Sequence, residues 1–147
     1  MEIRIQKVPY QDVLPMRSRV LKPHLSALDC INPGDLQPET FHLAAFYENR
    51  IVGIASFEME SHPNLHAQNP ARLRGMATDP NFHRKGIGRN LVNRGIEILL
   101  TSNVDLLWFN ARINAFSFYQ SLGFDFHGEY FDLPKIGPHK VMYKYLI

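Results

Sequence analysis

The apolar positions of this 147-residue chain change their spacing several times, and each change marks the edge of an element. Residues 2–8 set Ile3 and Ile5 against Arg4 and Gln6, a period near two that predicts a short strand ended by Pro9. Helical spacing follows: Val13, Leu14, Arg17, Val20 and Leu21 share a face, with Asp12 as the expected cap and Pro15 tolerated in the first turn. Lys22-Pro23 should stop this helix. Residues 24–39 keep no period and carry Pro, Gly, Asn and Asp, which predicts a long loop with at most a short helical piece. Residues 41–47 and 51–59, separated by Glu48-Asn49-Arg50, read as a β-hairpin, and 61–70 return to loop composition.

The second half alternates extended and helical patterns. Residues 72–78 form a strand, and 86–100 place Ile87, Leu91, Val92, Ile96, Leu99 and Leu100 at helical spacing. A second strand is expected over 104–110. A helix with Ala115, Phe118, Tyr119 and Leu122 on one face then stops at Gly123. Residues 124–131 and 140–146 supply the last strands around a loop at 134–138.

The length suits one domain over 1–147, and 45% hydrophobic with 20% charged residues is an ordinary globular balance. The net charge is only +2, and the basic residues are dispersed, so no nucleic-acid partner is expected. The lone Cys30 can form no internal disulfide, and the seven His show no zinc-binding spacing, so no metal is expected. The first residues alternate charge with apolar groups instead of forming a signal sequence, and no run is long enough to span a bilayer. A cytoplasmic protein without membrane association is the expected placement.

Chemistry concentrates between the 72–78 strand and the next helix, in Met76-Ala77-Thr78-Asp79-Pro80-Asn81-Phe82-His83-Arg84-Lys85-Gly86-Ile87-Gly88-Arg89. The first N–H groups of a helix lack intrahelical partners and carry the positive end of its dipole, while glycines let an anion approach the backbone. Arg84, Lys85 and Arg89 add charge there. A pyrophosphate suits such a turn. The Gly-Lys-Ser/Thr ending of a Walker loop is absent, and so is the third glycine of the dinucleotide fingerprint.

His83-Arg84-Lys85-Gly86-Ile87-Gly88 resembles the acetyl-coenzyme A motif of the GNAT superfamily of N-acetyltransferases, Gln/Arg-x-x-Gly-x-Gly/Ala, with His83 in place of the usual first residue. A second block, from Asn110 through Asn114 to Phe118-Tyr119-Gln120-Ser121-Leu122-Gly123-Phe124, looks like the family's strand-helix unit. The stretch from Pro134 to Met142 is similar to that of small bacterial members. The resemblance covers residues 72–131 well. It implies an α/β (α+β) fold with a mixed, mostly antiparallel sheet flanked by helices, and acetyl-CoA as co-substrate.

It further implies cofactor contacts at Met76, Ala77, Thr78, His83, Arg84, Lys85, Gly86, Ile87, Gly88, Arg89, Asn110 and Asn114, with Tyr119 protonating the departing thiolate. Transfer is expected to a primary amine of a small molecule or peptide by direct attack, with Cys30 a passive thiol. The carboxylate usual on the fourth strand is missing, since that strand carries Arg72 and Arg74. Glu58, Glu60, His42 and Glu129 stand as alternative bases. Arg72 and Arg74, two apart on one strand face, suit an anionic group on the acceptor or a solvated edge, and Arg17 and Arg19 are equally open. The rival expectation is a non-catalytic CoA-binding or sensing domain; a nucleotide-phosphate module ranks last. A homodimer is allowed.

Overall fold

Residues 2–146, which the computed structural model describes, place their alternating segments in one seven-stranded sheet of order β1-β2-β3-β4-β5-β7-β6. The strands are β1 (Ile3–Val8), β2 (Phe41–Tyr47), β3 (Arg50–Met59), β4 (Pro70–Thr78), β5 (Leu106–Arg112), β6 (Asp125–Leu133) and β7 (Gly137–Tyr145). All neighbours are antiparallel except β4 and β5, which gives the expected mixed, mostly antiparallel sheet. The β2–β3 hairpin forms as its turn composition predicts, with Glu48 at φ +55°.

The first helical segment starts earlier than expected. Pro9, extended at φ −68°, launches a 3-10 turn (Tyr10–Val13), followed by α1 (Leu14–Met16) and a π-turn (Arg17–Leu21). Asp12 therefore lies inside the first turn and caps nothing. Val13 and Met16 pack on Ile54 and Ala77, on one face of the sheet.

The opposite face receives α2 (Ile87–Thr101), which buries Ile87, Leu91, Val92, Gly95 and Leu99. Each large side chain so buried stabilises the fold by about 2 kcal/mol. Gly95 lets the helix sit directly on the Phe57 ring, because a Cβ there would overlap that ring. The short α3 (Phe116–Ser121) completes this layer, and Gly123 at φ +92° ends it.

The parallel pair is brief. Only Pro70–Arg72 of β4 register with Leu106–Trp108 of β5. Beyond Arg72 the strands part, each held on its far side: β5 pairs with β7 over its whole length, and β4 stays with β3 through a bulge. Gly75 (φ +60°) and Met76 lie in the bulge, opposite Ala55. A bulge bends its strand and increases the local twist, which turns β4 away from β5.

Arg17 fastens the loop at 22–40 over this opening. Its Nη1 donates to Asp35 Oδ2 (2.7 Å) and to the Cys30 carbonyl (3.0 Å); its Nη2 donates to Asp35 Oδ1 and Ser56 Oγ (both 2.9 Å). Ser56 in turn donates to His42 Nδ1 (2.7 Å), whose Nε2–H faces the Asp35 carbonyl (3.2 Å). Both side chains of the ion pair are only 3% exposed. Burial alone would raise the Asp35 carboxyl, but the bonds from Arg17 and the Asn32 N–H, with the guanidinium charge, outweigh it and hold the pKa below the usual range.

Because the folded-state pKa is depressed, this contribution is complete above the unfolded carboxylate value of about 3.9 and is lost as pH falls through the folded value. Asp35→Asn leaves a buried guanidinium without its counter-charge and should lower unfolding stability by about 3 to 5 kcal/mol at pH 7. Urea titrations of both proteins from pH 7 to 3 should show the gap narrowing in acid. A constant gap, or none at pH 7, removes the pair as a fastener.

Candidate active site

The V between β4 and β5 is the mouth of a cleft of about 810 Å³. From Leu73 onward the β4 edge has no β5 partner, so backbone groups at Met76–Thr78 are available to a ligand in the gap. The side chain of Ala77 packs into the core under α1, so what this position offers is main chain.

At the far end of β4, Asp79 accepts from the Asn81 N–H (2.9 Å) and starts the 3-10 turn Pro80–Phe82. Arg84 (φ +63°) and Gly86 (φ +76°) then bend the chain into α2. Gly86 occupies the N-cap with no side-chain cap, so the first N–H groups of α2 remain open to an anion. A Cβ on Gly86 would meet open space; it is the positive φ that selects glycine there. Gly88 faces Met76 and the Phe118 ring, each 3.0 Å from where a Cβ would lie, so α3 closes tightly on the start of α2.

Met76, Ala77, Thr78, His83, Arg84, Gly86, Ile87, Gly88, Arg89, Asn110, Asn114 and Tyr119 all line this one cleft. Lys85 does not; it is exposed outside the lining. Ile87 is 2% exposed with its side chain in the core, which leaves its N–H as its offering. Tyr119 is 6% exposed, packed on Phe109 with ring centroids 4.3 Å apart, and burial pushes its phenol well above the ordinary value. It stays protonated at neutral pH.

The alternative bases lie elsewhere. His42 is buried with both ring nitrogens engaged, and Glu129 is exposed on β6 outside the lining. Glu58 on β3 and Glu60 just past its end sit beside a separate pocket of about 320 Å³ and hold the two arginines: Arg74 pairs with Glu58, and Arg72 Nη1 donates to Glu60 Oε2 (3.0 Å). Arg72 also lies over the Trp108 ring, 4.7 Å from its centroid. Arg72 and Arg74, left open between an anion clamp and a solvated edge, are thus largely neutralised by carboxylates, because the β3–β4 register sets Glu58 opposite Arg72. Arg19 meets Asp79 at 3.2 Å on the cradle side.

Two cleft residues escaped the sequence reading. His139 on β7 is 3% exposed, and its Nδ1 lies 2.8 Å from the Gly137 carbonyl; that contact places a hydrogen on Nδ1, so in the neutral ring the lone pair is on Nε2. Arg112, its register partner on β5, reaches across to the Leu21 carbonyl (2.8 Å) at the end of the π-turn. Only the β5–β7 pairing brings them together.

A family model described as the Acetyltransferase (GNAT) family matches residues 10–124. The chain is 37% identical over 144 residues to the uncharacterised N-acetyltransferase YitI of Bacillus subtilis (strain 168), covering 98% of this chain and 97% of that one. In three dimensions it is similar to Ard1 from Thermoplasma volcanium (TM-score 0.80, 15% identity, 100% of this chain and 99% of that one). It is also similar to an aminoglycoside 6'-N-acetyltransferase complexed with coenzyme A (TM-score 0.73, 14% identity, 98% and 97% covered). The two structures share the fold; the family model and YitI settle kinship, and the chain belongs to the GNAT family of acetyltransferases.

Proposed function

We propose that the chain transfers the acetyl group of acetyl-CoA to a primary amine, with the donor lying along β4 in the V. The observation that carries this reading is one cleft joining an uncapped helix N-terminus, an unpaired strand edge and a buried tyrosine. Similarity to a fold neighbour complexed with coenzyme A supports the choice of donor. Acetyl-CoA supplies a thioester whose carbonyl carbon the amine nitrogen attacks directly, expelling the thiolate.

In this reading the open N–H groups of α2, with Arg84 and Arg89, hold the pyrophosphate. The free β4 edge bonds the pantetheine amides, and an N–H near Met76 stabilises negative charge on the carbonyl oxygen. Tyr119 donates a proton toward the departing sulfur. Its raised pKa does not disqualify it, because the same desolvation raises that of the thiol it faces. His139 Nε2 accepts the proton that the amine must lose, a task for which no carboxylate lines the cleft among the described residues. That lack of a carboxylate is also what favours the second reading, a domain that binds CoA without turnover.

Acetyl-CoA, and not ATP, should raise the melting temperature, and at a hundred times its Kd should add about 2.7 kcal/mol of stability. Gly88→Val should weaken acetyl-CoA binding in calorimetry by about tenfold or more, since its methyls fill the cradle against Met76 and Phe118. ATP-selective stabilisation would return the nucleotide reading. Tyr119→Phe should lower kcat by about a hundredfold with acetyl-CoA affinity retained; unchanged turnover removes its role. His139→Gln should likewise cut kcat by at least about tenfold at unchanged acetyl-CoA affinity, and an equal kcat would hand the proton to solvent. Tight binding without transfer to any of a panel of amines selects the non-catalytic reading.

A further inference from the structure

The sign of the charge along the cleft wall narrows the acceptor, given the acetyl-transfer reading above. Arg84 and Arg89 belong to the pyrophosphate end. Away from that end, Arg17, Lys22, Arg72, Arg74 and Arg112 line the same cleft, and no Asp or Glu does among the described residues. Asp35, Glu58 and Glu60 pair with three of these cations but do not themselves line the cleft.

Two further observations point to an incoming anion. Arg17 Nε and Arg72 Nε are buried without a hydrogen-bond partner, and Arg17 Nε lies against the Gly75 bulge, 2.8 Å from where a Cβ would be. Arg112 and Lys22 have no ion-pair partner among the described residues. Arg112 spends one N–H on the Leu21 carbonyl, which holds its fork across the cleft with its other donors left for a ligand. Its pKa is lowered by burial, the mark of a cation drawn out of water. A polyamine or a lysine-rich segment would meet uncompensated like charge at Arg112 and Lys22.

We propose that the acceptor is an amine that also carries anionic oxygens, a carboxylate or a phosphate, bound by Arg112 with Lys22 beside it on the first-helix face. The same fork that ties the end of the π-turn to β5 then reads the acceptor, and placing the anion there presents the amine to the β4–β5 opening.

The test compares acetyl transfer by the full chain to matched amines: L-phenylalanine against phenethylamine for the carboxylate, phosphoethanolamine against ethanolamine for the phosphate, and spermidine as a polycation. The anionic member of at least one pair should show a kcat/KM about tenfold to a hundredfold above its neutral counterpart, with spermidine the poorest. In Arg112→Gln that ratio should collapse toward one, and in Lys22→Gln it should fall by a smaller factor. The ratio is the readout, because a loss of folded protein lowers both members alike and leaves it fixed. Preference for the neutral amines or spermidine, or a ratio untouched in both variants, overturns the proposal. If no amine is acetylated, the acetyl-transfer reading fails and calorimetry on the CoA-loaded protein decides this one. Uptake of the anionic amine over its neutral counterpart supports it, and equal or absent uptake overturns it.

Discussion

Everything at the cleft depends on β4 and β5 staying paired for three residues and no more. A longer ladder would consume the β4 backbone groups and leave no gap; none at all would separate the two halves of the sheet. The length is set from outside the pair. The β5–β7 ladder runs the full length of β5, the β3–β4 ladder survives only through a bulge, and twist accumulated at Gly75 makes the two sides diverge. Arg72 and Trp108 form the last registered pair, and their stacking closes the apex.

An opening of this kind exposes main chain and needs cover on both faces. α2 and α3 provide it on one side, with Phe118 and Tyr119 beneath the gap. On the other side the helical segment is too short to reach across, and the loop at 22–40 has no period with which to bury itself. The buried Arg17–Asp35 pair does what apolar packing cannot there, fixing loop, helix and β3 through one guanidinium. Such a pair is costly to desolvate, so its value lies in specifying one arrangement of the wall, which the Gly75 bulge needs because no side chain fits where Arg17 passes.

What was legible in the sequence was whatever depends on neighbours along the chain: the alternation of the strands, the apolar stripe of α2, the hairpin turn, and the cradle, where positive φ and free helix N–H groups are local properties. The residues named from the two motif blocks share one cleft except for Lys85, whose place in the motif says nothing about which way an exposed turn residue points. The misjudged features are cross-chain. Arg72 and Arg74 looked free because Glu58 and Glu60 become their partners only through the β3–β4 register, and Arg112 and His139 meet only because β7 adds to β5. Asp12 failed as a cap for a smaller reason: Pro9 had already fixed the backbone that starts the turn.

The charge distribution leaves a puzzle that geometry resolves. Cations line both ends of the cleft, so the field alone cannot tell a pyrophosphate from an acceptor's anion, and CoA could enter either way round on electrostatics. What differs is the kind of donor. At Gly86 the donors are main-chain N–H groups on an uncapped helix, fixed in direction and open to close approach, which suits tetrahedral phosphate oxygens. Across the V the donors are guanidinium forks, most of them backed by carboxylates that temper their charge and hold their planes still. In the proposed acetyl-transfer reading, orientation of the donor therefore rests on two glycines and the bulge, while the arginines are left to decide what meets it.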